Sequence, residues 1–318
     1  MDAIKSFFYR IYLSHIPNSR DNLKQIIVKT LFLVSLVTLI VSSSFIINYF
    51  VEAQRQAAII DESRQLWNEV SKDIEADSIA DQTDQTASEP EDPYKAVKEQ
   101  LLLENSDFKG WITISGTPVN NPIYQTDNNE YYLSYNQQRK RSAYGALYFD
   151  CENIISEEFT DKNLIVYGHQ MKNGTMFGSL KKFKSLNFYK QNPTIEFSTL
   201  YKNSTYKIYS IFILNAVKSD DDGYIYNVGR NKFINENDFN AWRNEAYERS
   251  VITTSVDVLP EDNILTLITC SSDFPNARLV IMAREVREGE STAVDTNSAK
   301  INPNPRYPRK WYTHRGIK

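Results

Sequence analysis

Residues 265–286 read LTLITCSSDFPNARLVIMAREV: two apolar runs separated by a polar loop of seven residues, SSDFPNA. The first run extends back to Ile264, is rich in β-branched residues and ends at Cys270, which is typical of a buried β-strand. Arg278 begins the second run. If the two strands pair antiparallel, Cys270 and Arg278 lie opposite each other at one end of a sheet, on strands about 5 Å apart.

Short apolar segments alternate with turn residues over the rest of the chain between residues 94 and 290. They read GWITIS, NPIYQT, GALYFD, NLIVYG, TIEFS and TYKIYSIFIL. Many short strands at this spacing predict a sandwich or barrel. Two helical insertions are predicted among them, near 176–191 and 236–250, and a helix at residues 94–105 precedes them. The fold class is therefore mainly β with flanking helices.

The amino-terminal region carries one long apolar segment, residues 30–50, without a charge. Its length is that of a transmembrane helix, and it exceeds the apolar part of a signal peptide. Five basic residues precede it against two acidic ones, whereas eleven acidic residues face two basic ones between residues 61 and 92. The positive-inside rule places the amino terminus in the cytoplasm and the remainder outside. We therefore expect a single-pass protein of the plasma membrane.

Five regions follow from this pattern. Residues 1–29 are cytoplasmic, 30–50 span the membrane, 51–93 form an extracellular stalk, 94–290 form the folded domain and 291–318 form a basic tail. Within the stalk a short helix is predicted over residues 52–75, followed by a flexible acidic linker. The composition of the tail favours disorder; the alternative is attraction to anionic wall polymer or lipid headgroups.

Composition and motifs exclude several classes of function. The net charge of -4 does not indicate binding to nucleic acid. The two cysteines and three histidines are too few for a disulfide framework or a soft-ligand metal cluster, and no nucleotide-binding or serine-hydrolase motif is present. We expect no cofactor and no metal.

A thiol, an imidazole and a guanidinium are the groups of the folded domain best suited to catalysis. His169 ends an apolar strand just as Cys270 does, and the other two histidines lie before the membrane segment and in the tail. A guanidinium near Cys270 would favour the thiolate and could bind an oxyanion. Each residue alone is more often structural: a buried cysteine, a turn histidine, a solvated arginine. The residues alone therefore leave a Cys–His enzyme as one reasonable hypothesis.

Two segments carry a resemblance to a known family. NLIVYGHQMKNGTMFGSL (163–180) and LTLITCSSDFPNARLVIMAREV (265–286) resemble the histidine and cysteine motifs of class B sortases. GWITISGTPVNNPIYQTDNNEYYLSYN (110–136) and SAYGALYFDCEN (142–153) also resemble that class, as does the helical insertion at 236–250. The resemblance covers residues 94–286.

The resemblance implies a closed sortase-type β-barrel and a cysteine transpeptidase. Cys270 would be the nucleophile, His169 the acid and base, and Arg278 the oxyanion-stabilising group. The donor would be a surface protein with a C-terminal sorting signal, cleaved after Thr. The acceptor would be an amine of a peptidoglycan precursor or cross-bridge. Cys151 has no counterpart and is read as incidental, with both thiols reduced.

The resemblance also implies a set of substrate-binding positions: Asn129, Leu133, Tyr224, Ile225, Ile268 and Thr269. Ile268 stands where the family often has Ser, so the exact sorting motif stays open. Two alternatives remain beside the wall-anchoring enzyme. One is a pilin polymerase that uses a subunit lysine as acceptor, and the other is a non-catalytic wall-binding module on the same fold.

Overall fold

The structure is a computed structural model that describes residue 6 and residues 14–80, 92–157 and 160–317. The chain divides into two compact units, residues 1–58 and 59–318, and each is described by itself. The second unit contains the barrel and the candidate active site.

One long helix, α1 (Leu23–Ala80), contains the predicted membrane segment. Within residues 23–73 it is long and apolar enough to cross a membrane, and an 18-residue stretch of it has a mean hydropathy of 2.3. The helix predicted over residues 52–75 is present, but it is not short, because it continues the membrane segment without a break and extends to Ala80. No glycine or proline interrupts residues 51–80, so nothing in the sequence ends it. Of the predicted linker, residues 81–91 lie outside the described residues.

Eight strands form a closed barrel in the order β1-β2-β3-β4-β8-β9-β6-β5, which confirms the predicted fold class. The ten strands of the described chain are β1 (Phe108–Thr113), β2 (Asn120–Tyr124), β3 (Leu147–Phe149), β4 (Asn163–Tyr167), β5 (Thr194–Thr199), β6 (Asn203–Asn215), β7 (Ile252–Thr253), β8 (Ile264–Cys270), β9 (Ala277–Glu285) and β10 (Lys300–Ile301). The barrel closes where β1 pairs antiparallel with β5.

Helices and 3₁₀ turns surround the barrel. They are α2 (Lys95–Glu104), α3 (Tyr131–Ser134), α4 (Leu186–Gln191), α5 (Glu236–Arg249), α6 (Arg309–His314) and two 3₁₀ helices, Phe177–Lys184 and Lys218–Asp221. Both predicted helical insertions are present. Helix α5 is capped by the preceding residue, Asn235, whose side chain accepts the Asp238 N–H at 3.0 Å.

Strand β8 lies between β4, to which it is parallel, and β9, to which it is antiparallel. Its inner face meets the barrel interior, and its outer face is covered by α5, where Phe239 and Trp242 pack with Ile264 and Ile268 in one apolar cluster. A strand covered on both faces carries few polar side chains, and residues 264–269 contain only Thr266 and Thr269 among apolar residues.

The folded unit is larger than the predicted segment 94–290. Upstream, Trp67 stacks on Trp111 and on Tyr94 at ring-centroid distances of 4.7 and 4.2 Å. Downstream, β10 pairs antiparallel with β7, and α6 follows it. The prediction of a disordered tail is therefore wrong for residues 300–314. Composition alone gave the wrong prediction, because Arg306, Arg309 and Arg315 form ion pairs with acidic residues of the barrel unit.

Candidate active site

Cys270 and Arg278 are directly opposite each other in the antiparallel ladder of β8 and β9, as the sequence predicts. Side chains alternate between the two faces of a strand. Cys270 therefore shares the outer face with Ile268, and Arg278 shares it with Val280, both of which belong to the cluster under α5. Cys270 is exposed and is a free thiol. The thiol and the guanidinium thus lie at the same end of the sheet and on the same face.

His169 reaches the same level from the other side of β8. Strand β4 pairs parallel with β8, with Tyr167 opposite Ile268, and the Gly168 N–H donates to the Ile268 carbonyl at 3.2 Å. Strand β4 ends at Tyr167. When the register of Tyr167 with Ile268 is continued by two residues, His169 lies level with Cys270. The sheet order is β4-β8-β9, so the nucleophile candidate stands between the imidazole and the guanidinium.

One ring nitrogen of His169 has a fixed partner. Its Nε2 lies 2.8 Å from the backbone carbonyl of Leu133 in α3. A carbonyl only accepts hydrogen bonds, so Nε2 carries the proton in this arrangement. This leaves Nδ1 as the nitrogen whose protonation can change.

A groove of about 610 Å³ begins at Arg278 and follows the outer face of the sheet. Its floor includes Ile165, Tyr167 and Ile268, and its far wall is the β6–α5 loop, where Tyr224 and Ile225 line it. Tyr224 is 47% exposed, and its hydroxyl donates to Glu245 at 2.6 Å. The groove has the dimensions and the mixed apolar and polar lining of a peptide or small-molecule site.

Asn129 and Leu133 act through other residues in this structure. The Asn129 Nδ2 donates to Asp150 at 3.1 Å, and its Oδ1 accepts the Cys151 N–H at 2.8 Å. Leu133 is 40% exposed and offers its carbonyl to His169. Neither belongs to the residues that line the groove.

Thr269 is the one proposed contact that the structure places on the wrong face. It is 3% exposed, and alternation turns its side chain into the barrel, away from Ile268 and Cys270. Its Oγ1 is buried and has no hydrogen-bond partner. A substrate in the groove can meet its backbone but not its hydroxyl.

Asp150 is a groove residue that the sequence did not single out. It follows β3, lines the groove and accepts the Tyr167 hydroxyl at 2.8 Å. Burial, and then the adjacent Asp150 carboxylate, raise the pKa of Tyr167 well above its ordinary value. The signal was available as an acidic residue directly after an apolar strand, GALYFD. The incidental Cys151 is half-buried next to it, and burial raises the pKa of its thiol.

Comparison with known proteins adds the family to this geometry. Residues 112–286 match the Sortase domain family, which is more than half of the chain. The chain belongs to the sortase family. It is 33% identical to sortase B of Listeria monocytogenes over 184 residues, covering 57% of this chain and 71% of that protein.

Solved sortase structures agree in fold. A substrate complex of Staphylococcus aureus sortase B shares 25% identity, covers 74% of this chain and 99% of that one, and superposes with a TM-score of 0.61. A sortase B in complex with triglycine gives the same identity and TM-score, covering 74% of this chain and 98% of that chain. The chain is thus a class B sortase, an enzyme of the cysteine transpeptidase type.

Proposed function

We propose that this sortase cleaves the C-terminal sorting motif of a surface protein after Thr and joins the new carboxyl end to a peptidoglycan amine. The observation that carries the proposal is the order of the neighbouring strands: Cys270 ends β8, Arg278 lies opposite it on β9 and lines the groove, and His169 follows β4 on the other side. A nucleophile, an acid–base group and an anion-binding group are the three parts that acyl transfer needs.

In the first half-reaction the Cys270 thiolate attacks the threonyl carbonyl carbon, and Arg278 stabilises the oxyanion that forms. The carbon–nitrogen bond then breaks, His169 gives its Nδ1 proton to the leaving amine, and a thioester remains on Cys270. The Leu133 carbonyl supports this role, because it holds the imidazole in one orientation throughout.

In the second half-reaction an amine nitrogen attacks the thioester carbon. His169 takes the proton of the amine, the carbon–sulfur bond breaks, and the thiolate is restored. The triglycine complex of a related sortase B supports a glycine-type amine of a cross-bridge or its precursor as acceptor. The charges that flank residues 30–50 support an extracellular catalytic unit, where such amines exist.

Groove residues would bind the sorting motif. Tyr224, Ile225 and Ile268 line the groove and provide both apolar surface and a hydroxyl. Asn129 would act by holding the Asp150 loop, and Leu133 by holding His169.

The test uses the full-length chain in detergent with fluorogenic pentapeptides that contain a Thr cleavage site. We expect turnover that rises when triglycine is added and that Cys270→Ala abolishes. The matched control is Cys151→Ala, which removes the other thiol and keeps turnover. Equal signals from the wild type and Cys270→Ala would contradict the proposal.

A comparison of amines then identifies the acceptor. We expect triglycine to be used faster than a lysine side chain in a peptide. Faster use of the lysine peptide would indicate the pilin-polymerising alternative and contradict the wall-anchoring assignment.

A further inference from the structure

Residues 302–317, here called the strap, cross the barrel unit from helix α5 to the loop that follows Cys270. At their start the Asn302 N–H donates to the Val251 carbonyl at 3.0 Å, and the Arg306 N–H donates to the Glu248 carbonyl at 2.8 Å. The segment is therefore held by backbone hydrogen bonds and not by side-chain charge alone.

The strap is attached a second time at the β6–α5 loop. Asp221 accepts the backbone N–H of Arg309 at the start of α6, and Asp222 forms an ion pair with the Arg309 guanidinium. Helix α6 is preceded by Pro308, whose side chain cannot accept a hydrogen bond. Asp221 thus supplies from another loop the acceptor that a capping residue normally provides.

The third attachment is beside Cys270. The Arg315 Nη2 lies 3.7 Å from the Asp273 carboxylate in the β8–β9 loop. Asp273 also accepts the Ser271 hydroxyl at 2.5 Å and the Lys184 ammonium at 2.9 Å. Burial alone would raise the pKa of Asp273, but these hydrogen bonds hold it below its ordinary value, so the carboxylate is charged. Asp273 therefore joins the strap to the residue next to the nucleophile candidate.

The β6–α5 loop that the strap holds lines the groove, and the β8–β9 loop connects Cys270 to the strand on which the groove residue Arg278 lies. Lys218, Gly223 and Tyr224 line the groove from the same loop whose Asp221 and Asp222 bind the strap. None of the described residues that line the groove belongs to residues 302–317. The strap therefore lies behind the wall of the groove and does not fill it.

We propose that the strap is a positioning element for peptide binding, with Arg309 and Arg315 holding the β6–α5 and β8–β9 loops in the conformation that the peptide requires. The proposal rests on the proposed function. Loops released from the strap sample more conformations, and binding must then order them, which weakens affinity. Cys270 and Arg278 stand on barrel strands and His169 is held by Leu133, which the strap does not contact through Arg309 or Arg315, so we expect the chemical step at saturating peptide to be unchanged.

The experiment measures KM and kcat of the full-length chain with an uncharged peptide. For the double variant Arg309→Gln, Arg315→Gln we expect KM to rise roughly threefold to tenfold with kcat nearly unchanged. Arg309→Lys, Arg315→Lys keeps both charges and should restore KM to within about twofold. The matched control is Lys300→Gln, which removes a charge from the neighbouring strand β10. Added salt should raise the wild-type KM and leave that of the double Gln variant flat.

Two kinetic outcomes overturn the proposal. A wild-type KM in the double Gln variant means that the strap does not position the loops. A lower KM means that it obstructs the groove. Absence of Cys270-dependent turnover in the wild type would instead overturn the proposed function.

Amide hydrogen exchange tests the strap without reference to turnover. We expect faster exchange in residues 216–230 and 271–276 of the double Gln variant and unchanged exchange in β8. Unchanged exchange in both loops would also overturn the proposal.

Discussion

Cys270 and Arg278 face each other across the last rung of the β8–β9 ladder, with only the loop 271–276 and Ala277 between them in sequence. A hairpin of this kind fixes the backbone positions of Cys270 and Arg278 by strand geometry and not by loop conformation. Sites on strands are more precise than sites on loops, and anion stabilisation depends on that precision. The relationship makes Arg278 the most informative residue to change.

Two replacements of Arg278 should distinguish the contribution of its positive charge to catalysis from that of its planar guanidinium group. We expect Arg278→Gln to lower kcat/KM for peptide cleavage by about 10²-fold to 10³-fold, because the oxyanion loses its stabilising partner. Arg278→Lys keeps the charge but not the planar fork, so an intermediate loss is expected. Steady-state kinetics with the fluorogenic peptide measure both. Full activity of Arg278→Gln would remove Arg278 from the mechanism.

Gly145 should be essential for the position of His169. Its φ is +58°, and a Cβ there would meet the Tyr132 carbonyl oxygen at 2.2 Å and His169 Cδ2 at 3.2 Å. Gly145→Ala must therefore displace the segment whose Leu133 carbonyl holds the imidazole, and we expect a loss of kcat of about tenfold or more.

Gly174→Ala is the matched control for that change. Gly174 has a φ of +84°, and a Cβ there would meet nothing within 4 Å. Gly174→Ala therefore introduces the same kind of backbone strain as Gly145→Ala but no collision with neighbouring atoms. We compare the kcat and the thermal unfolding of the two variants. Equal activities would show that the collision at Gly145 does not reach His169.

Apolar periodicity and loop length, which are local properties, predicted the strands and the facing of Cys270 and Arg278. They left a sandwich or a barrel open, and the resemblance to class B sortases implied the closed barrel. Thr269 was misplaced because residues adjacent to a nucleophile in sequence point to the opposite face of a strand, and a motif does not record the face. Residue alternation alone would have corrected it.

The C-terminal segment shows where composition fails. Its polar and basic character favours disorder, yet Arg309 and Arg315 have acidic partners in two distant loops. Such pairing depends on tertiary contacts between residues about 40 and 90 positions apart, which no local pattern contains. The unbroken helix α1 was missed for a simpler reason, because a change in hydropathy was taken for a helix end.

Thr269→Val should show whether the Thr269 side chain affects the stability of the barrel or the binding of the peptide. The hydroxyl is buried without a hydrogen-bond partner, so its replacement by a methyl group of similar shape should raise the free energy of unfolding by about 1 kcal/mol. Peptide KM should stay at the wild-type value. Ile268→Ala, one residue earlier and in the groove, should instead raise KM. A changed KM in Thr269→Val would return its side chain to the substrate site.

The stability of the fold in acid should depend on Glu290. This residue follows the C-terminal end of β9, whereas Arg278 lies near the N-terminal end of that strand. Its carboxylate accepts the Arg284 guanidinium at 2.7 Å, and Lys207 lies at the same distance. The Arg284 hydrogen bond is the main cause that holds the pKa of Glu290 far below its ordinary 4.5. A lowered pKa contributes stability above the unfolded value, and that stability is lost as the pH falls below about 4.5.

Glu290→Gln should therefore lower the free energy of unfolding at pH 7 by about 2 kcal/mol, since the buried Arg284 loses a charged partner. The same variant should show a smaller further loss between pH 5 and pH 3 than the wild type, because its amide cannot be protonated there. Glu288→Gln, in the same turn and exposed, is the control and should keep the wild-type acid dependence. Urea unfolding at several pH values measures all three proteins. Parallel pH curves for Glu290→Gln and the wild type would show that the Glu290–Arg284 pair contributes nothing to acid stability, because only a carboxylate ionised in the folded state and protonated in the unfolded state can produce the difference.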